Sequence, residues 1–138
     1  MRNYSAILNL YLRGGIVMER KPRPISKIDD DIKSAGQTFI GIRMEDMLTR
    51  IPELEDRNKK NKLIEEYYEN QIGTQDSKCE GTRTRVNAVM RIIQSDNVLY
   101  ALKRIDGSNS LVLPEAVTKA KNTIKKIKSG ELKLPNLE

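Results

Sequence analysis

Pro114-Glu115-Ala116-Val117-Thr118-Lys119-Ala120-Lys121-Asn122-Thr123-Ile124-Lys125-Lys126-Ile127-Lys128-Ser129-Gly130 is the stretch that decides the fold. Proline suits the first turn of a helix, because its fixed φ is already helical and its missing N–H would be unpaired there anyway. Glu115 complements the positive end of the helix dipole, and the lysines crowd the negative end. Glycine stops a helix by adopting the left-handed conformation after the last turn. Between these signals Val117, Ala120, Ile124 and Ile127 recur at three and four, which predicts a narrow buried stripe. Lys121, Lys125 and Lys128 form a second stripe beside it, and Lys119 and Lys126 share a ridge seven residues apart.

Helical spacing continues upstream. Val86, Val89, Met90 and Ile93 predict a helix over 84–94, capped by Thr82 or Thr84. Ser95-Asp96 breaks the chain, and Val98, Ala101, Leu102 and Ile105 predict another helix over 97–105. Asp106-Gly107-Ser108-Asn109 reads as a turn, followed by an extended Leu111-Val112-Leu113. Leu63, Ile64, Tyr67 and Tyr68 lie on one side of a helix over 63–72, with Glu65, Glu66 and Glu69 on the other, and Gly73 as its stop. Thr74–Gly81 reads as a polar connection. Arg43–Arg50 reads as a helix, and Pro52 opens a further one, with acids Glu53, Glu55 and Asp56 at its positive end. Asn58–Lys62 is polar all round, either a loop or an exposed helical turn. Thr38-Phe39-Ile40-Gly41-Ile42 is β-prone. The expected fold is mostly α, a single small domain of about five helices with at most one short strand element.

The length of 138 residues fits one domain able to bury a core without staples. Within it, 1–17 reads as mis-annotated upstream leader or a disordered segment, 18–37 as a flexible basic arm containing prolines, 38–130 as the helical domain and 131–138 as an irregular tail. Arg13-Gly14-Gly15 ahead of Met18 is what a purine-rich ribosome-binding site looks like when translated, so a start at Met18 in a bacterial or phage gene is one reading. An ordinary Gly-Gly turn is the other. In the arm, Pro22 and Pro24 forbid regular helix and interleave with Arg20, Lys21 and Arg23. A short helical turn is expected around Lys27–Ser34, broken by Ala35-Gly36.

The chain contains no histidine and one cysteine, Cys79. The commonest general base, the commonest metal ligand and every Ser-His or Cys-His nucleophile are therefore missing. A lone cysteine forms neither an internal disulfide nor a thiolate zinc cluster, and Cys79 reads as incidental. Asp29-Asp30-Asp31 lacks the alternating spacing of a calcium loop and reads as an acidic helix start. The expectation is a protein that is not an enzyme and uses no metal or cofactor. No apolar run approaches the ~18 residues that span a bilayer, and a bacterial cytoplasmic location is expected.

Charge is the remaining clue. From Gly81 to Glu138 eleven basic side chains face five acids, which accounts for the whole net charge of +6, while residues 1–80 are neutral. Such asymmetry points to an anionic partner, either nucleic acid or an anionic protein surface. Three groups are candidates for contact. Asn97, Tyr100, Lys103 and Arg104 lie on the outer back of the second helix of a helix-turn-helix-like pair. Arg83, Arg85 and Arg91 surround the helix start at Gly81–Arg85, a candidate anion site if that stretch is a loop. Lys119, Lys121, Lys125, Lys126 and Lys128 can track a phosphate backbone without reading sequence. The acidic back of helix 63–72 is an internal rival for these lysines. The leading expectation is non-enzymatic DNA or RNA binding. The alternative is a small protein-binding inhibitor or adaptor of phage type, acting against a host nucleic-acid enzyme or defence system.

Overall fold

A computed structural model describes residues 16–138, and the leader assigned to 1–17 lies outside this range except for its last two residues. Seven helices and one two-residue strand pair make up the described chain. The order is β1 (Val17–Met18), α1 (Ile25–Ala35), α2 (Gln37–Thr49), α3 (Ile51–Leu54), α4 (Arg57–Glu69), α5 (Cys79–Gln94), α6 (Val98–Lys103), α7 (Pro114–Ser129) and β2 (Asn136–Leu137). The mostly α expectation holds, and no described helix is long and apolar enough to cross a membrane.

Two helix pairs organise the core, α2 against α7 and α1 against α5. Helix α4 packs on α5, and the short α3 and α6 fill the corners. The helix read from Pro114 to Gly130 forms as expected, with Gly130 left-handed at φ 82°. Its deepest stripe is rotated from the expected one. Ala116, Ala120 and Thr123 are buried, while Val117, Ile124 and Ile127 are half-buried. The reason lies in α2, whose Gly41 sits so close to Ala116 that an added Cβ would come within 2.5 Å of its carbonyl oxygen. Only small side chains fit that seam, and the larger ones flank it.

The expected strand at Thr38–Ile42 is corrected to helix. All five residues belong to α2 and all are buried. A helix buried all round shows a continuous apolar run, which periodicity cannot tell from a buried strand. The actual strands are elsewhere: β1 and β2 pair in parallel, Val17 with Asn136 and Met18 with Leu137. The tail expected to be irregular is therefore partly tied down, and the Glu138 carbonyl accepts from the Arg20 amide at 2.8 Å.

The arm expected over 18–37 is corrected in part, and the helical turn expected around Lys27–Ser34 forms within a longer helix. Residues 25–35 form an 11-residue helix that buries Ile28, Asp31, Ile32 and Ala35 against the core. The prolines end before it: Pro24 is its cap, where an extended φ/ψ is needed. Gly36 joins α1 to α2 in one residue at φ 84°, a conformation that side-chain-bearing residues avoid. Asn58–Lys62 belongs to α4, whose N-cap Asp56 accepts from the Lys59 amide at 2.9 Å. That helix ends at Glu69, three residues before the expected Ile72, with Asn70 as its cap.

Candidate nucleic-acid interface

Arg83, Arg85 and Arg91 of the basic half do not converge. Helix α5 starts at Cys79, not at Thr84, so Gly81–Arg85 is helix and not a phosphate-cradling loop. Thr82 is no cap; it is buried inside the second turn and donates to Asp76 Oδ2 at 3.0 Å. Arg83 reaches α4, donating to Asn61 Oδ1 at 2.7 Å, and pairs with Glu80 at 3.2 Å. Arg85 pairs with Asp76 at 3.0 Å and donates to the Ala35 carbonyl at 2.7 Å. Arg91 pairs with Asp31 at 2.9 Å. Each guanidinium is thus bound within the fold, and each to a different neighbour.

Asp31 is the acid that the sequence hid. Its side chain is 3% exposed and takes Arg23 on one side (2.6 and 3.1 Å) and Arg91 on the other. A buried carboxylate is tolerable only when paired and hydrogen-bonded, and here two arginines satisfy it. The pairing stitches the 19–24 segment to α1 and α5. The Arg23 guanidinium is held above its ordinary range by its bond to Asp31.

The helix-turn-helix reading is weakened in the same way. Helices α5 and α6 are joined at Ser95–Asn97, where Asp96 takes a left-handed φ of 63°, but α6 has only six residues. Its expected outer face meets α1. Tyr100 donates to Asp29 Oδ1 at 2.7 Å, Arg104 lies 3.7 Å from the same oxygen, and the Arg104 guanidinium sits 5.4 Å over the Tyr100 ring. The Tyr100 hydroxyl is pushed up by its bond to Asp29 and by burial. Asn97 Nδ2 is turned back to Ser95 at 2.9 Å. Lys103 and Arg104, both exposed, share a polar cleft of about 390 Å³ with Lys33, Gln37, Asp29 and Asp106.

Helix α7 is different. Lys121, Lys125 and Lys128 are exposed and Lys119 is half-exposed, and none of the four forms an ion pair among the described residues. Only Lys126 is held, at 2.6 Å from Glu45 Oε1 of α2. That bond keeps the Lys126 ammonium above its usual range. The internal rival suggested by the sequence therefore exists, but it is Glu45 and not the back of α4. There Glu66 is paired with Arg50 at 2.6 Å, and Glu65 and Glu69 are exposed. Lys119, Lys125 and Lys126 line one open groove of about 600 Å³ with Thr118, Asn122, Glu45 and Glu115. The lysine stems cover the flanks of the apolar seam and the heads stand in water.

Sequence reasoning missed two polar centres. One is Arg50, which binds Asp46, Glu53 and Glu66 together at 2.6–3.2 Å. Beside it, the Tyr67 hydroxyl donates to Asp46, and Arg43 stacks 4.4 Å over the Tyr67 ring. Burial and the Asp46 bond push the Tyr67 hydroxyl well up. The other is Lys60, which donates to Asn87 Oδ1 at 2.6 Å. The signal for it was present, because Lys60 lies four residues before Ile64 and so on the same inner face of the helix. No cluster of three or more His, Cys, Asp or Glu suited to a metal occurs among the described residues, and none of their buried side-chain polar atoms lacks a partner. No family model, curated protein or solved structure matches the chain.

Proposed function

We propose that the protein is a non-enzymatic nucleic-acid-binding protein that follows the phosphate backbone with the outer face of α7. The observation that carries this reading is that Lys121, Lys125 and Lys128 on one ridge of α7, and Lys119 on another, form no ion pair among the described residues. Lys121, Lys125 and Lys128, at four- and three-residue spacing, repeat about every 4.5–6 Å along the helix, and a row of cations of this kind can follow a phosphate backbone. They carry no base-reading geometry, so the expected binding is sequence-independent. The arginines, Asn97 and Tyr100 are engaged within the fold and are not part of this surface. The test is a mobility shift on duplex DNA and single-stranded RNA of several sequences. Changing Lys121, Lys125 and Lys128 to Ala should weaken every shift alike. A shift that the triple change leaves intact places the contact elsewhere.

A second reading, a protein-binding adaptor or inhibitor, is favoured by Leu111. This side chain is 88% exposed on the turn between α6 and α7, beside a groove of about 520 Å³ that includes Ile32, Phe39 and Val112. The groove mixes these apolar walls with Lys33, Gln37, Arg85 and Asn109, and an apolar centre with a polar rim is the anatomy of a protein interface. Nuclease-treated lysate separates the readings. A stoichiometric partner retained by the wild type and lost with Leu111→Asp supports the adaptor, and loss of every partner on nuclease treatment supports nucleic acid.

A further inference from the structure

Lys60 projects from α4 onto α5 and is half-buried there. Its partner is the Asn87 amide oxygen at 2.6 Å, not a carboxylate. One residue on, Asn61 gives its own amide oxygen to Arg83 at 2.7 Å. The charges acting on the Lys60 ammonium are cations, Arg83 and Lys21, and the Lys21 backbone is fixed by its amide bond to the Gln94 carbonyl at 2.9 Å. Glu80 pairs with Arg83 from a side chain that is 77% exposed, the kind of ion pair that contributes little. Burial and these like charges together drive the Lys60 ammonium below its usual range. A half-buried cation bonded to a neutral amide, with no ion pair of its own among the described residues, is an unfavourable arrangement that an anion relieves.

We propose that the α4–α5 seam formed by Lys60, Asn61, Arg83 and Asn87 is a binding site for a phosphate oxyanion. The two asparagines make the site more than a charge cluster. Each turns its carbonyl oxygen to a cation, which leaves its Nδ2 group as a donor. Cationic and neutral donors on two packed helices can therefore surround phosphate oxygens, and charge-assisted bonds of this type are the strong ones. The phosphate is either a free small anion or a backbone phosphate of a nucleic acid. The site is separate from the α7 lysines, which sit on a helix packed against α2 and α6, and it does not depend on them.

The experiment is NMR on the full chain labelled at lysine Cε and at side-chain amides. Inorganic phosphate is titrated against sodium chloride of matched ionic strength. Phosphate should shift the Asn61 and Asn87 amide signals saturably and move the Lys60 titration upward, because a bound anion favours the ammonium. Lys60→Gln should weaken the saturable response at least about tenfold. Asn87→Ala, which removes no charge, should weaken it as well and guards against a misfolded lysine variant. The Lys121, Lys125 and Lys128 triple alanine variant should keep it. A second arm uses a short single-stranded oligonucleotide. Saturation by phosphate identifies a small-anion site, and saturation by the oligonucleotide alone identifies a backbone contact. If neither ligand moves these signals beyond chloride, or if the α7 variant abolishes the response, the proposal is overturned.

Discussion

Removing the Asp31 carboxylate strands two guanidinium groups that were aimed at it. Loss of one member of a buried pair costs about 3–5 kcal/mol when the survivor stays buried. Arg23 and Arg91 are 31% and 39% exposed, so water can reach them and Asp31→Ala should cost about 2–3 kcal/mol in urea unfolding. A loss below about 1 kcal/mol would mean that the clamp holds nothing. Lys60→Met should behave in the opposite way. Taking out a cation that its surroundings disfavour should leave stability unchanged or raise it by up to about 1 kcal/mol, and a clear loss would show the Asn87 bond to be structural. Acid gives a third contrast. Arg50 holds the Glu53 carboxyl below its ordinary value. A depressed carboxyl stabilises the fold above its unfolded pKa, and that contribution disappears as pH falls through the lower folded value. Thermal midpoints should therefore fall as pH drops below about 4, and Arg50→Met should flatten that decline. An identical slope in both proteins contradicts the Arg50 hub.

At the scale of elements, α2 and α7 approach closely through their backbones at Gly41 and Ala116. A Cβ on Gly41 would meet the Ala116 carbonyl oxygen at 2.5 Å and its Cβ at 2.9 Å. Gly41→Ala gains about 1 kcal/mol of helix propensity, yet it forces the two helices apart, and overpacking of this kind costs about 1–3 kcal/mol. The variant should lower the midpoint of unfolding; an equal or higher midpoint would show that α2 and α7 are not in close contact. The same seam explains what could be read from the chain and what could not. Helix α7 was legible because Pro114, Glu115, the lysines and Gly130 all mark its ends in agreement. Helix α2 was not, because Phe39, Ile40, Gly41 and Ile42 face protein on every side and so carry no period. Helix α5 was legible in its apolar stripe but not in its start, since Thr82 resembles a cap while serving as a buried donor to Asp76.

Over the whole molecule, the charge excess was legible and its distribution was not. Sequence places Arg83, Arg85, Arg91 and the five α7 lysines in one basic half. Folding assigns the arginines to Glu80, Asp76 and Asp31 and Lys126 to Glu45. Arg83 to Glu80 is local, at i and i+3, but Arg91 to Asp31 and Lys126 to Glu45 join residues 60 and 81 apart in the chain, so no local pattern announces them. The α7 lysines other than Lys126 stand exposed or half-exposed, and Lys60 lies in the α4–α5 seam, on a different helix pair. The pairing of β1 with β2 brings the described ends together, with Met18 fully buried. The most direct test of the central claim is the salt dependence of DNA binding. Four lysines on phosphates should give a log–log slope near −3.6, at about −0.9 per phosphate. The Lys121, Lys125 and Lys128 alanine variant should retain a slope of about −1. A slope that is the same in both proteins contradicts the account.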